Sequence, residues 1–171
     1  MKNQVPSLYK VLSIAGSDSG GGAGIQADIK TITALGGYAT TAITALTAQN
    51  TLGVHSVFEV PASFVSQQID TVMTDIGTDA VKTGMLLCKD IVDVVSLKIK
   101  EYHIKRVVVD PVMLSKNERM LLSTDAIYAL TAHLFPLSFI VTPNIPEAEY
   151  ITGLKIQNLS HAEEAAKFIY Q

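Results

Sequence analysis

The fold of this 171-residue chain is decided by the stretch Gly16-Ser17-Asp18-Ser19-Gly20-Gly21-Gly22-Ala23-Gly24-Ile25-Gln26-Ala27-Asp28, which holds five of its eleven glycines. It follows a short apolar run, Val11 to Ala15, and leads into a segment with helical spacing. Glycine lets the backbone turn sharply and lets a ligand approach closely, and the first amides of a helix are unpaired. A strand, a glycine loop and a helix in this order therefore predict an anion or small-ligand site at the turn.

Beyond this stretch, β-branched runs typical of strands alternate with segments of helical period. The predicted strands are Val11–Ala15, Tyr38–Leu46, His55–Val60, Ala80–Thr83, Arg106–Val109 and Phe139–Thr142. The predicted helices are Gly24–Leu35, a helix opened by Pro61, Ile91–Tyr102, Thr124–Leu134, a helix fed by the loop Pro143 to Glu147, and a last helix that starts at the capping box Ser160-His161-Ala162-Glu163. This alternation predicts an α/β fold with a mostly parallel sheet covered on both faces.

Each segment of unusual glycine or polar content follows a predicted strand. These segments, all expected to be loops, are 16–24, 47–51, 84–86, 110–113 and 142–147. In mostly parallel sheets, ligands bind at the carboxyl ends of the strands, near the point where the strand order reverses. The sequence therefore predicts that one edge of the sheet is a binding face.

Composition and charge indicate a globular domain and argue against nucleic-acid and membrane partners. A 48% hydrophobic and 17% charged chain of this length predicts one globular domain with a sizeable core. A net charge of −3, with the 13 Lys and Arg residues scattered, argues against a nucleic-acid partner. The single cysteine, Cys88, is expected to be a buried or half-buried thiol in a reducing compartment. With no apolar run of signal-peptide or membrane-spanning length, we expect a soluble cytoplasmic protein without a membrane partner.

Two nucleotide-binding motifs are tested against the glycine stretch. It is not a Walker A loop, because no Gly-Lys-Ser/Thr follows its glycines. Residues 22–27 match the alanine form of the dinucleotide fingerprint, which also requires an acid about 20 residues further on. The chain has no acid between Asp28 and Glu59. A nicotinamide-dependent oxidoreductase is therefore an alternative that lacks its ribose-binding acid.

Acidic side chains on the predicted binding face suit phosphoryl transfer. They are Asp18, Asp28, Asp110 and Glu147. Carboxylates at strand ends can hold Mg²⁺ through water and let it bridge phosphates. Asp110 and Glu147 are the candidates, and for Glu147 the capping of the following helix is an equal alternative. The four histidines are isolated in the sequence and predict no metal cluster.

Five ordered motifs resemble those of the hydroxymethylpyrimidine/phosphomethylpyrimidine kinases of thiamine biosynthesis. They are the stretch 15–28, Thr44-Ala45-Leu46-Thr47-Ala48-Gln49-Asn50-Thr51, Lys82-Thr83-Gly84-Met85-Leu86, Val109-Asp110-Pro111-Val112-Met113 and Thr142-Pro143-Asn144-Ile145-Pro146-Glu147-Ala148. The resemblance implies a ribokinase-like fold and a homodimer. It also implies phosphorylation of 4-amino-5-hydroxymethyl-2-methylpyrimidine, and then of its monophosphate, by ATP with Mg²⁺.

The resemblance also implies roles for individual residues. Asp28 and Gln49 would hold the amino group and ring nitrogen of the pyrimidine, which suits an acceptor beside an amide. Lining and covering of the ring would fall to Gly16, Thr47, Met85 and Val112. Asp110 and Glu147 would act on the Mg²⁺ and phosphate side, with Asn144 nearby. Gln49 favours the aminopyrimidine over vitamin B6, whose kinases resemble the same glycine loop.

Two departures from the family pattern lead to further expectations. The chain has Leu114-Ser115-Lys116-Asn117-Glu118-Arg119 where the family continues with a small Ser-Gly turn. The Lys-Gly-Gly strand and the Gly-Thr-Gly-Cys segment, which carry the family's anion hole and catalytic thiol, have no counterpart in residues 1–171. We therefore expect a single ribokinase-like domain truncated at its C-terminus, with no catalytic residue in this chain. A pyridoxal kinase and a non-catalytic pyrimidine-binding remnant are the alternatives.

Overall fold

A computed structural model describes residues 8–113 and 122–170. Its strands are β1 Lys10–Asp18, β2 Tyr38–Asn50, β3 Gly53–Glu59, β4 Ala80–Thr83, β5 Val107–Val109 and β6 Ile140–Val141. Its helices are α1 Gly24–Ala34, α2 Ala62–Asp75, α3 Lys89–Glu101, α4 Thr124–Ala129, α5 Ile145–Thr152 and α6 Leu159–Tyr170. After α4 the chain continues through a π-helical turn, Leu130–Leu134, and a 3₁₀ turn, Phe135–Leu137. The predicted α/β class is confirmed.

The six strands form one sheet in the order β3-β2-β1-β4-β5-β6. All neighbours are parallel except β2 and β3, which form an antiparallel hairpin. From β1 the chain moves to β2 on one side and later returns to β4 on the other side. The strand order therefore reverses between β1 and β4, which is where a doubly wound sheet binds its ligand.

The two faces of the sheet differ in polarity. On one face, Leu12, Ile14 and Val81 are fully buried in the core that they share with α2, α3 and α4. Each such apolar side chain contributes about 1.5–3 kcal/mol through burial. Ser13 of β1 and Lys82 of β4 alternate with these residues, so they point to the opposite face, which α1 covers. A polar layer therefore lies between α1 and the middle of the sheet.

The prediction that residues 47–51 form a loop is wrong. β2 runs on to Asn50, Thr47 pairs with Val57, Gln49 pairs with Val54, and the turn is reduced to residues 51 and 52. The polar composition of this segment suits a strand near the edge of the sheet, where one face meets solvent. β1 is likewise longer than predicted and carries the strand up to Asp18.

The last helix, α6, starts earlier than predicted. The capping box at Ser160 is wrong, because α6 begins at Leu159 and Asn158 Oδ1 accepts the His161 amide at 3.0 Å. Asn caps a helix as well as Ser does, so the earlier position prevails. The departure at Leu114–Arg119 lies outside the described residues. In the part of the chain that the structure describes, no helix is both long and apolar enough to cross a membrane.

Candidate active site

The glycine loop is closed on itself by Asp18. The buried carboxylate of Asp18 accepts hydrogen bonds from the amides of Gly20, Gly22 and Ala23, at 2.7, 2.9 and 2.8 Å. An internal carboxylate therefore takes the place that an anion would take in a phosphate-binding loop. These three amides are therefore not free to bind an external anion, which corrects the prediction of an anion site for this part of the loop.

Gly24 lets the loop return to β1. Its φ is +56°, and a Cβ placed there would lie 2.2 Å from the carbonyl oxygen of Gly16. The loop is also tied to α1, because Gln26 accepts the Asp18 amide through Oε1 and donates to Ser17 Oγ through Nε2. The loop is thus a rigid structure that shapes the end of β1.

Gly16 and Met85 meet at the reversal of the strand order. Gly16 lies in a β-bulge, where the register between β1 and β2 shifts. A Cβ at Gly16 would lie 2.7 Å from Met85 Cε, so the methionine covers the backbone there. Two hydrogen bonds fix the segment that carries Met85. The Gly84 amide donates to the Ile14 carbonyl at 2.9 Å, and Thr44 Oγ1 donates to the Met85 carbonyl at 2.6 Å. These two predicted substrate residues therefore lie together.

Gln49 lies at a second bulge, between β2 and β3. Its backbone amide donates to Ser19 Oγ, and Ser19 Oγ donates to the Gln49 carbonyl, both at 2.8 Å. Thr47 Oγ1 contacts the Ser17 carbonyl at 2.9 Å and Gln49 Oε1 at 3.3 Å. Bulges re-aim side chains next to active sites. These contacts place Gln49 and Thr47 beside the glycine loop, and their role in a shared substrate site stays a prediction.

Asp28 belongs to a charged cluster under the loop. Its Oδ2 accepts from Ser13 Oγ at 2.6 Å, and both of its oxygens lie 3.2 Å from Lys82 Nζ. The same ammonium lies 3.6 Å from Asp110 Oδ2. Sequence reasoning assigned no role to Lys82. The one signal was its place in the motif with Gly84.

Asp110 is half-buried at the end of β5. Burial raises the pKa of its carboxyl above the ordinary value, and the nearby charge of Lys82 opposes that rise. A carboxylate that is short of solvent and has one cationic neighbour is a favourable partner for an added cation. The role of Asp110 as a metal ligand stays a prediction.

Val112 marks the loop after Asp110 as a strained segment. Its φ is +41°, which is rare for a β-branched residue and typical of functional sites. The loop is held by Glu147, whose Oε1 accepts the Met113 amide and whose Oε2 accepts the Asn144 amide, both at 3.0 Å. Asn144 Oδ1 accepts the Glu147 amide in return, which completes a capping box. The capping interpretation of Glu147 is confirmed, and its metal role stays a prediction.

Other polar groups lie outside this cluster. Within the described ranges, no group of three or more His, Cys, Asp and Glu side chains is placed to hold a metal ion. His133 instead pairs with Asp93 on α3. Burial and a hydrogen bond to Glu59 raise the pKa of the Cys88 thiol, which keeps it protonated. Cys88 is half-buried, as predicted, and its raised pKa makes it a poor nucleophile.

The chain is similar to a known protein family over most of its length. The profile of the family described as phosphomethylpyrimidine kinase matches residues 18–171. The chain belongs to the phosphomethylpyrimidine kinase family. A hydroxymethylpyrimidine/phosphomethylpyrimidine kinase of Bacillus subtilis is 52% identical over 161 residues, which are 94% of this chain and 59% of that protein.

Solved structures agree with the family and with its ribokinase-like fold. The crystal structure of a phosphomethylpyrimidine kinase from Clostridium difficile superposes with a TM-score of 0.90 at 47% identity, over 95% of this chain and 71% of that one. An ADP complex of Bacillus subtilis pyridoxal kinase superposes with a TM-score of 0.85 at 40% identity, over 96% of this chain and 61% of that one. The chain thus spans between 59% and 71% of the length of these three proteins.

Proposed function

We propose that this chain forms the pyrimidine-binding part of a kinase that phosphorylates 4-amino-5-hydroxymethyl-2-methylpyrimidine and its monophosphate in thiamine biosynthesis. The observation that carries the proposal is the junction of β1 and β4, where Met85 covers the backbone of Gly16 and where Ser13 of β1 and Lys82 of β4 hold the Asp28 carboxylate. A flat ring needs a close approach to the backbone and an apolar cover, and its amino group needs an acceptor. Glycine, methionine and aspartate supply these three properties.

Gln49 is assigned to the ring nitrogen. Its side-chain amide can donate through Nε2 and accept through Oε1, so it can pair with an acceptor that lies next to a donor on the ring. Asp28, which already accepts from Ser13 and Lys82, can take a further N–H but can donate nothing. The pair therefore fits an aminopyrimidine edge, with Thr47 and Val112 completing the walls.

The phosphate side is assigned to Asp110, with Asn144 and Glu147 beside it. Mg²⁺ is usually bound through one or two carboxylates plus waters and substrate phosphates, and Asp110 fits the first of these ligands. Each oxygen of Glu147 already accepts one amide, so Glu147 holds the loop and can reach a cation only through its remaining lone pairs. Bound Mg²⁺ would supply charge neutralisation at the transferred phosphoryl group. ATP is proposed as the donor because related kinases were solved with ADP and with AMP-PCP.

Pyridoxal kinase activity is the second candidate, favoured by the likeness to the Bacillus subtilis pyridoxal kinase. Titration calorimetry with the aminopyrimidine and with pyridoxal separates the two. We expect the aminopyrimidine to bind more tightly and Gln49→Ala to weaken it about tenfold, the effect of one lost hydrogen bond of about 1.4 kcal/mol. Tighter binding of pyridoxal would favour the second candidate, and binding of neither compound would overturn both.

Phosphoryl transfer is tested separately from binding. An assay with MgATP and the aminopyrimidine is expected to give turnover in the protein that also supplies the family's anion-hole segment. Ligand binding without turnover would support the pyrimidine-binding remnant. The proposal extends to a homodimer, as the resemblance implies, and light scattering of the purified protein tests it.

A further inference from the structure

Lys82 shares its ammonium between two carboxylates from different elements. Nζ lies 3.2 Å from both oxygens of Asp28 on α1 and 3.6 Å from Asp110 Oδ2 after β5. The side chains of Lys82 and Asp28 are only 24% and 17% exposed, so water screens this contact less than it screens a surface ion pair. Ser13 donates to the same carboxylate. The donors of Asp28 thus come from two neighbouring strands of the sheet.

Gly84 provides a second observation. Its φ is not in the left-handed region, so the backbone does not require glycine there. A Cβ at this position would instead lie 3.1 Å from Lys82 Nζ and 3.0 Å from the Ala15 Cβ. Glycine therefore keeps open the space that the ammonium occupies, and the placement of Lys82 depends on two positions of the chain.

We propose that Lys82 is a positioning residue that orients the Asp28 carboxylate toward the amino group of the substrate. This inference rests on the proposed function. With Lys82 on both oxygens and Ser13 on Oδ2, rotation of the carboxylate would break charge-assisted hydrogen bonds. The fixed carboxylate then has acceptor capacity left for one N–H of the ligand. The site selects a ring that carries an amino group over one that does not.

The test compares two ligands in each variant. Calorimetry measures the dissociation constants of 4-amino-5-hydroxymethyl-2-methylpyrimidine and of 5-hydroxymethyl-2-methylpyrimidine, which lacks the amino group. In the wild-type protein we expect about a tenfold preference for the amino compound, the size of one hydrogen bond to a charged group. Lys82→Met is expected to bring the ratio close to one, and Lys82→Arg to retain part of it. A general loss of folding or of binding would raise the dissociation constants of both ligands by the same factor and leave their ratio unchanged.

Lys98→Met is the matched control. Lys98 also shares its ammonium between two carboxylates, Asp70 at 2.7 Å and Glu101 at 2.9 Å, but it lies on α3 outside the site. Its loss is expected to leave the ratio at the wild-type value. Gly84→Ala crowds Nζ without removing a charge, and it is expected to lower the ratio even if Lys82→Met does not fold.

The outcomes distinguish this inference from the proposed function. A wild-type protein that prefers the amino compound while Lys82→Met, or Gly84→Ala in its place, keeps the full preference overturns the inference alone. A wild-type protein that binds both compounds equally overturns the assignment of Asp28 to the amino group. Binding of neither compound overturns the proposed function and the inference with it.

Discussion

The amide of Met113 donates a hydrogen bond to the buried carboxylate of Glu147 across 34 residues of the chain. Only 2% of Glu147 is exposed, and its other oxygen accepts the Asn144 amide. One carboxylate therefore caps α5 and also fixes the loop in which Val112 has its strained backbone. The proposed substrate wall at Val112 and the proposed phosphate side share this anchor.

Glu147→Gln tests the anchor. Both oxygens of Glu147 face N–H donors, so the NH₂ group of glutamine must oppose one of them. Leaving a buried donor unpaired is expected to lower the free energy of unfolding by about 2 kcal/mol, measured by chemical denaturation. Glu149→Gln on the same helix is the control. Only one oxygen of Glu149 accepts a backbone amide, that of Ile156, while the other meets the exposed Lys155, so we expect a change below about 1 kcal/mol. Equal losses in the two variants would contradict the shared anchor.

Asp18→Asn tests the closed glycine loop. The substitution removes the charge and one acceptor oxygen from a group that accepts three amides. We expect a loss of about 3 kcal/mol in unfolding free energy, because hydrogen bonds to charged groups are the stronger ones. The control is Asp79→Asn, since the exposed carboxylate of Asp79 accepts a single amide, that of Lys10. If Asp18→Asn were as mild as the control, the loop would not depend on its internal carboxylate.

Comparison of Gly24→Ala with Gly36→Ala separates the steric clash of a Cβ from the backbone strain of a positive φ. Gly24 and Gly36 both have positive φ, +56° and +79°, but only Gly24 would place a Cβ against other atoms. Gly36→Ala is therefore expected to cost about 1 kcal/mol of unfolding free energy from φ alone. Gly24→Ala adds the contact with the Gly16 carbonyl and is expected to cost about 3 kcal/mol or more. Thermal denaturation of the pair measures the difference, and similar midpoints would show that the loop can yield.

The sequence predicted the fold because hydrophobic period and glycine position are local signals. The glycine loop, the alternation of strands and helices and the end of α1 all follow from such signals. The closure of the loop by Asp18 could also have been predicted, because Asp often accepts amides that follow it closely in a turn. Residues 47–51 were predicted as a loop because polar composition was weighed above the alternation of Thr47 and Gln49 along β2, the strand next to the edge of the sheet.

The charged cluster could not be predicted in the same way. Ser13, Asp28, Lys82 and Asp110 are separated by 15, 54 and 28 positions, and only the order of the strands brings them together. Their interaction depends on distances of 2.6 to 3.6 Å, which no sequence period fixes. The resemblance selected Asp28 and Asp110 but left out the lysine between them.

Asp110→Asn tests whether the half-buried carboxylate of Asp110 lowers the free energy of unfolding. Burial raises the pKa of Asp110 above its ordinary value of 3.8, so the folded chain holds this proton more tightly than the unfolded chain does. Ionisation of Asp110 therefore destabilises the fold, and this effect grows as the pH rises through the raised pKa. The stability of the asparagine variant relative to wild type is expected to increase between about pH 3 and about pH 7. Its affinity for Mg²⁺ is expected to fall.

Asp125→Asn gives the opposite slope and serves as the control for the pH experiment. The hydrogen bond from Ser123, with a further one from the Ala126 amide, lowers the pKa of Asp125. Its ionised form therefore stabilises the fold at pH values above the ordinary pKa of aspartate, and that stabilisation is lost as the pH falls through the lowered pKa. Relative to wild type, Asp125→Asn should lose stability as the pH rises, while Asp110→Asn gains it. Parallel slopes, measured by urea denaturation across the pH range, would show that burial of Asp110 carries no energetic cost for the folded chain.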